Sequence, residues 1–235
     1  IYIFPIQIFK TLSYKKTSEY NVFNHIKNLS DERNAFIDYA REFDSINVAY
    51  PNAIEGVFKS DKVNALNTYS TYESGVDLNG LIDKYNISLN DNLYLSQMYP
   101  IPSEAYADAV LSVILDNLHE HSAKCFIKFH PRDKTDFIDY IKSKVETLGF
   151  SELVVIIEES DFPIEALIKS CQFNKIMGIS TTALVYANQL SPATDCISIT
   201  NTLIRELGSN CPPKAKRIIL EHTKMLTIFD HIKFN

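Results

Sequence analysis

From Asp91 onward, short apolar runs alternate with stretches whose apolar residues recur at helical spacing. The runs at 93–97, 124–129, 153–157, 175–178 and 196–199 have the length and apolar content of buried strands. Between them, 103 to about 121, 135–148, 164–170 and 183–188 read as helices. The first has the clearest stripe, with Ala107, Val110, Leu111, Ile114 and Leu118 on one side. Punctuation agrees with the pattern: Ser103 suits an N-cap, Pro163 a first turn and Gly149 a C-cap. The first part of the chain is less regular. Residues 1–9 are β-rich and interrupted by Pro5, and Ser30-Asp31-Glu32 opens a helix with Phe36, Ile37, Ala40 and Phe43 on one face. Residues 46–50 read as a short strand. Residues 60–92 are polar and read as loop and linker, with a helix at 78–85.

Strands alternating with helices predict a parallel α/β sheet. The expected fold is α/β with a doubly wound second domain over 91–235 and a first domain over 1–90. The first domain is short for a complete Rossmann-like unit. The chain also opens on Ile1 rather than Met, so part of the protein is expected to lie outside this sequence.

Composition narrows the function classes. With 46% hydrophobic residues the chain can build a core, which excludes a disordered chain. A net charge of -6 argues against a nucleic-acid binder, although a local basic patch is compatible with it. No apolar run of about 18 residues occurs and no basic stretch precedes an apolar one, so neither a membrane span nor a secretion signal is expected. The four cysteines, Cys125, Cys171, Cys196 and Cys211, lack metal-ligand spacing and read as reduced thiols of a cytoplasmic protein. No metal site is expected. The tail carries Lys214, Lys216, Arg217 and Lys224 among apolar residues. It reads either as a terminal helix packed on the domain or as a basic segment for peripheral contact with an anionic inner membrane.

In open parallel sheets, ligands bind beyond the carboxyl ends of the strands. Two segments fall there. In Lys128-Phe129-His130-Pro131-Arg132, the proline ends the strand and holds His130 extended at the rim. An imidazole there suits proton donation to a leaving phosphate, or it is a surface side chain before a turn. In Gly178-Ile179-Ser180-Thr181-Thr182, hydroxyls sit between a strand and a helix start. They suit an anion, or they simply cap the helix. Two weaker candidates are Glu165, after Phe162-Pro163, which suits ribose hydroxyls or a helix N-terminus, and Glu55 of Ile54-Glu55-Gly56, which suits a general base or an exposed turn. Glu73 is a rival to Glu55.

The His-Pro segment followed by Ser-Thr-Thr resembles the bacterial sialyltransferases of GT-B fold, which carry an acidic motif, an HP motif and a Ser/Thr-rich motif. The closest resemblance is to glycosyltransferase family 52, the lipooligosaccharide sialyltransferases, with the capsular polysialyltransferases as relatives. Leu93-Tyr94-Leu95-Ser96-Gln97 is similar to the strand that opens the second domain of such proteins. The resemblance covers roughly residues 50–190. Ile54 stands where the family has its first acid, and Ser-Thr-Thr stands where relatives often show serines.

The resemblance implies two Rossmann-like domains and an inverting, metal-independent transfer of N-acetylneuraminate from CMP-N-acetylneuraminate to a glycan hydroxyl, without a cofactor. Glu55 would be the base and His130 would protonate or stabilise the departing phosphate. Ser180, Thr181 and Thr182, with Gly178 in the same turn, would hold the phosphate or the sugar carboxylate. Lys128, Pro131 and Arg132 flank the histidine, and Phe162, Pro163 and Glu165 would line the nucleotide pocket. A homodimer is an expectation carried by the resemblance alone. Two rival readings remain: a polysialyltransferase or capsular Kdo transferase using the same class of donor, and a non-catalytic nucleotide-sugar-binding subunit.

Overall fold

The computed structural model describes residues 45–54, 63–66, 78–118, 123–160 and 162–235. The chain divides into two compact units, Ile1–Leu66 and Asn67–Asn235. In the first, strand β1 (Ile46–Val48) leads into a 3-10 turn at Pro51–Ile54 and pairs in parallel with β2 (Val63–Ala65), Ile46 opposite Val63. β2 falls in a stretch that the sequence pattern reads as loop. Three residues, Val-Asn-Ala, are too few to show an alternation. The expectations for 1–44 and for Glu55 and Glu73 lie outside the described residues.

The second unit is built on a sheet. Its elements run α1 (Asn79–Tyr85), β3 (Asn92–Leu95), α2 (Ser103–Leu118), β4 (Cys125–Lys128), α3 (Thr135–Thr147), β5 (Val154–Ile157), α4 (Ile164–Cys171), β6 (Lys175–Gly178), α5 (Thr182–Leu190), β7 (Asp195–Ser198), α6 (Thr200–Leu207), α7 (Pro213–Leu226) and β8 (Ile232–Phe234). The six strands stand in the order β5-β4-β3-β6-β7-β8, and every pair is parallel. This is the doubly wound order in which the chain fills one side of the first strand, then crosses to the other. The strands read as continuous apolar runs because helices cover both faces. Tyr94, Cys125, Ile127, Val154, Met177 and Ile197 point into one core with Tyr106, Ile114, Phe137, Ile141, Leu203 and Ile219 from α2, α3, α6 and α7. Their strand neighbours Leu93, Phe126, Ile157, Ile176 and Cys196 are buried on the opposite face. There Phe126 meets the rings of Tyr85 and Phe173.

The register decides where chemistry can happen. Leu95 stands level with Lys128 on one side and Gly178 on the other, Lys128 level with Ile157, and Gly178 level with Ser198. All the strand ends therefore open on one edge, and the segments following β3, β4, β5 and β6 crowd together there. Gly149 takes φ 74°, the left-handed conformation expected of a residue closing α3. The C-terminal basic segment is α7. It buries Ala215, Ile219, Thr223 and Leu226 against the domain and leaves Lys214, Lys216, Arg217 and Lys224 exposed. The four cysteines are buried and free. Burial pushes the thiols of Cys171 and Cys196 up to about 12 and about 11, so neither is a thiolate at neutral pH. No helix among the described residues is long and apolar enough to cross a membrane.

Candidate functional site

A cavity of about 610 Å³ opens at the carboxyl ends of β3, β4 and β5 and is bounded by the start of α5. Of the residues singled out from sequence, Lys128, His130, Pro131, Phe162 and Thr181 line it. Two segments far apart in sequence therefore meet around one space. Its floor is apolar, from Leu95, Phe129, Ile138, Ile156 and Ile157, and its rim carries Asp133, Lys142, Glu158 and Ser160.

His130 owes its geometry to the turn that Pro131 forces. The main-chain N–H of His130 donates to the Asp133 carboxylate at 2.8 Å, and the N–H of Asp133 donates back to the His130 carbonyl at 2.9 Å. The N–H of Arg132 donates to His130 Nδ1 at 3.0 Å. A ring nitrogen that accepts carries no proton, so this contact fixes the tautomer with the hydrogen on Nε2. The imidazole thus offers one N–H. Arg132 contributes its backbone here, and its exposed guanidinium is not part of the cavity wall.

The turn after β6 is held from several sides. Ser180 N–H donates to Gln97 Oε1 at 2.6 Å, Gln97 Nε2 reaches Ser180 Oγ at 3.5 Å, and Tyr99 Oη shares a 2.6 Å hydrogen bond with the same Oγ. Burial raises the Tyr99 phenol above its usual range, opposed by the bond to Ser180, so it stays protonated. From the other side, Ser198 Oγ and Thr200 Oγ1 donate to the Ile179 carbonyl at 2.6 and 3.3 Å. Thr181 Oγ1 accepts from Ala183 N–H at 3.3 Å and caps α5. The turn is therefore held from both sides, and Gln97 bridges the segments that leave β3 and β6, the two strands between which the chain reverses direction. That crevice is where this class of sheet binds ligands.

Other sequence candidates lie beside the cavity rather than in its wall. Ser180 sits behind Thr181, and Thr182 is exposed one residue further round α5. Pro163 caps α4, whose first residue, Ile164, lines the cavity. Glu165 follows about 100° round the helix and leaves the wall. Gly178 lies beneath the turn, where a Cβ would stand 2.8 Å from Thr181 Cγ2. Moving that methyl rotates Thr181 and breaks its cap. Gly178→Ala is expected to cost about 1–3 kcal/mol, lowering Tm by roughly 2–4 °C per kcal/mol, and thermal melting reads this directly.

Sequence reasoning missed Gln97 and Tyr99, which sit in the segment leaving β3 but reveal their role only through Ser180. It also missed Ser96, which lines the cavity, is 4% exposed, and whose Oγ finds no hydrogen-bond partner among the described residues. Among the described residues, no group of three or more His, Cys, Asp or Glu could hold a metal ion.

A family model described as alpha-2,8-polysialyltransferase (POLYST) matches residues 1–200 of this chain. No curated protein matches it. Among solved structures, the chain is similar to a Staphylococcus aureus MnaA-UDP co-structure, with 14% identity, TM-score 0.44 and coverage of 82% of this chain and 54% of that one. It is also similar to a glycosyltransferase from Rickettsia africae ESF-5, with 13% identity, TM-score 0.41 and coverage of 84% and 58%. The chain spans somewhat more than half the length of either structure.

Proposed function

We propose, starting from the fact that this chain belongs to the alpha-2,8-polysialyltransferase family, that it transfers sialic acid from a CMP-activated donor to a hydroxyl of a glycan. The observation that carries this reading is the single cavity bringing His130 and Thr181 together at the crevice of a doubly wound sheet. A cytidine monophosphate leaving group is an anion, and Thr181, which caps the positive dipole end of α5, stands in one wall. His130 Nε2–H donates a hydrogen bond to the departing phosphate. Because Nδ1 accepts from Arg132, the neutral ring stabilises the leaving anion without giving up its proton. Full protonation of the phosphate requires a ring first charged at Nδ1, at the expense of the Arg132 contact. The acceptor hydroxyl must lose its proton to a general base, for which Glu55, with Glu73 as its rival, is the candidate from sequence.

Calorimetry with CMP and the other nucleoside monophosphates tests the donor site. CMP is expected to bind selectively, while no binding or equal binding of all four sinks the reading. A single-transfer enzyme of the family 52 kind, acting on a lipooligosaccharide, would use the same donor cavity. The length distribution of products on a sialylated acceptor separates it from a polymerase.

A further inference from the structure

The wall of the cavity after β5 is held by residues that never touch the cavity. Glu158, Ser160 and Phe162 line it, whereas Glu159 turns the other way, toward α1. Its carboxylate accepts from Lys84 Nζ at 2.5 Å and from Tyr85 Oη–H at 2.7 Å. Tyr85 Oη in turn accepts from Glu158 N–H at 3.1 Å. One phenol oxygen therefore fastens two successive residues of the loop to the last turn of α1. On the cavity side, the Glu159 carbonyl accepts from Lys128 Nζ, and that ammonium lies 5.1 Å from the centre of the Phe162 ring. The carbonyl's position is set by the residue whose carboxylate Tyr85 holds. The chain of contacts runs from α1 through Glu159 to the only lysine in the His-Pro segment.

We infer that Tyr85 and Glu159 are positioning residues for the nucleotide: they fix the loop after β5, and through the Glu159 carbonyl they place Lys128 and Phe162 against the bound donor. This rests on the reading of the cavity as a nucleotide site. The two anchors differ in weight. The Lys84–Glu159 pair is 58% and 30% exposed, where an ion pair adds little. Tyr85 is half-buried against Phe126 and makes two hydrogen bonds in a fixed geometry. Lys84 and Tyr85 hold the Glu159 carboxyl down at about 2, so the acceptor is ionised throughout the neutral range.

The test is a double-mutant cycle of Tyr85→Phe and Glu159→Ala, read by CMP calorimetry and by hydrogen exchange of peptides spanning 156–164. Phenylalanine keeps the ring packing and removes only the oxygen. Each single variant is expected to bind CMP about tenfold more weakly, the size of one lost net hydrogen bond. Each is also expected to exchange faster across the loop, with exchange unchanged in β3 and β4. The double variant is expected to be little worse than Tyr85→Phe, since both changes break the Tyr85–Glu159 contact and Glu159→Ala adds only the loss of the exposed Lys84 pair. Unchanged CMP affinity in both variants, or fully additive losses, overturns the inference. If the unaltered protein binds no CMP, the cavity reading falls first and takes this role with it. Faster exchange in Tyr85→Phe then shows only a structural tie, a result that separates the two failures.

Discussion

His130→Ala is expected to lower the rate of transfer by about 10²–10³, the usual loss for one preorganised donor to a developing anion, while CMP affinity changes little. The split follows from the geometry. His130 is exposed at the rim, and among the described residues its ring makes one hydrogen bond, the Nδ1 acceptance from Arg132. Removing the ring leaves the floor, Lys128 and the turn before α5 in place, so the ground-state site survives. On the proposed mechanism, what disappears is an N–H that donates to charge growing as the glycosidic bond to phosphate breaks. An interaction present only in the transition state lowers kcat and leaves substrate binding nearly intact. His130→Gln supplies a side-chain N–H near the Nε2 position and is expected to recover part of the rate. Steady-state kinetics with donor varied, beside calorimetry, check both. A fully active His130→Ala enzyme removes the imidazole from the mechanism. Parallel losses of rate and CMP affinity make it a binding residue instead.

The sheet was legible because parallel strands covered on both faces must be apolar throughout. Leu93, Phe126, Val155, Ile176 and Ile197 sit within such runs, and each strand begins and ends within two residues of its expected place. β8 was not legible. Its three residues, Ile232–Phe234, gain strand identity only by pairing with Cys196–Ser198. α6 has few apolar residues, Leu203, Ile204 and Leu207, in a polar setting, and it packs on α2 rather than announcing itself. The site divides the same way. His130 and Thr181 stand at strand ends marked by a proline and by a helix start, which local sequence encodes. Gln97 with Ser180, and Tyr85 with Glu159, are pairs 83 and 74 residues apart; the register of β3 and β6 brings the first together and the packing of α1 beside β4 the second. Glu165 shows the limit of reading proximity from sequence. One step along a helix turned it out of the wall that Ile164 forms.

The second large effect is expected on binding. A Ser180→Ala/Thr181→Ala variant should lose most of its CMP affinity, about 10²-fold, since hydrogen bonds to charged groups are worth roughly 1.5–3 kcal/mol each. The two hydroxyls are engaged differently, and this shapes the expectation for each alone. Thr181 lines the cavity and caps α5 through its Oγ1. Alanine there removes a ligand contact and a cap together, so Tm falls as well, by the equivalent of about 0.5–2 kcal/mol. Ser180 is already engaged, its N–H by Gln97 and its hydroxyl by Tyr99. For Ser180 to serve a phosphate, Gln97 must yield the main-chain N–H, and alanine retains that N–H. Ser180→Ala alone should therefore weaken CMP binding less than Thr181→Ala, and leave the Tyr99 hydroxyl without its partner. If the order is reversed, the phosphate lies deeper in the crevice between β3 and β6 than the cavity outlines. If neither hydroxyl matters while CMP still binds, the anion is held by main-chain N–H groups of the turn, and the Ser-Thr-Thr run serves α5 alone.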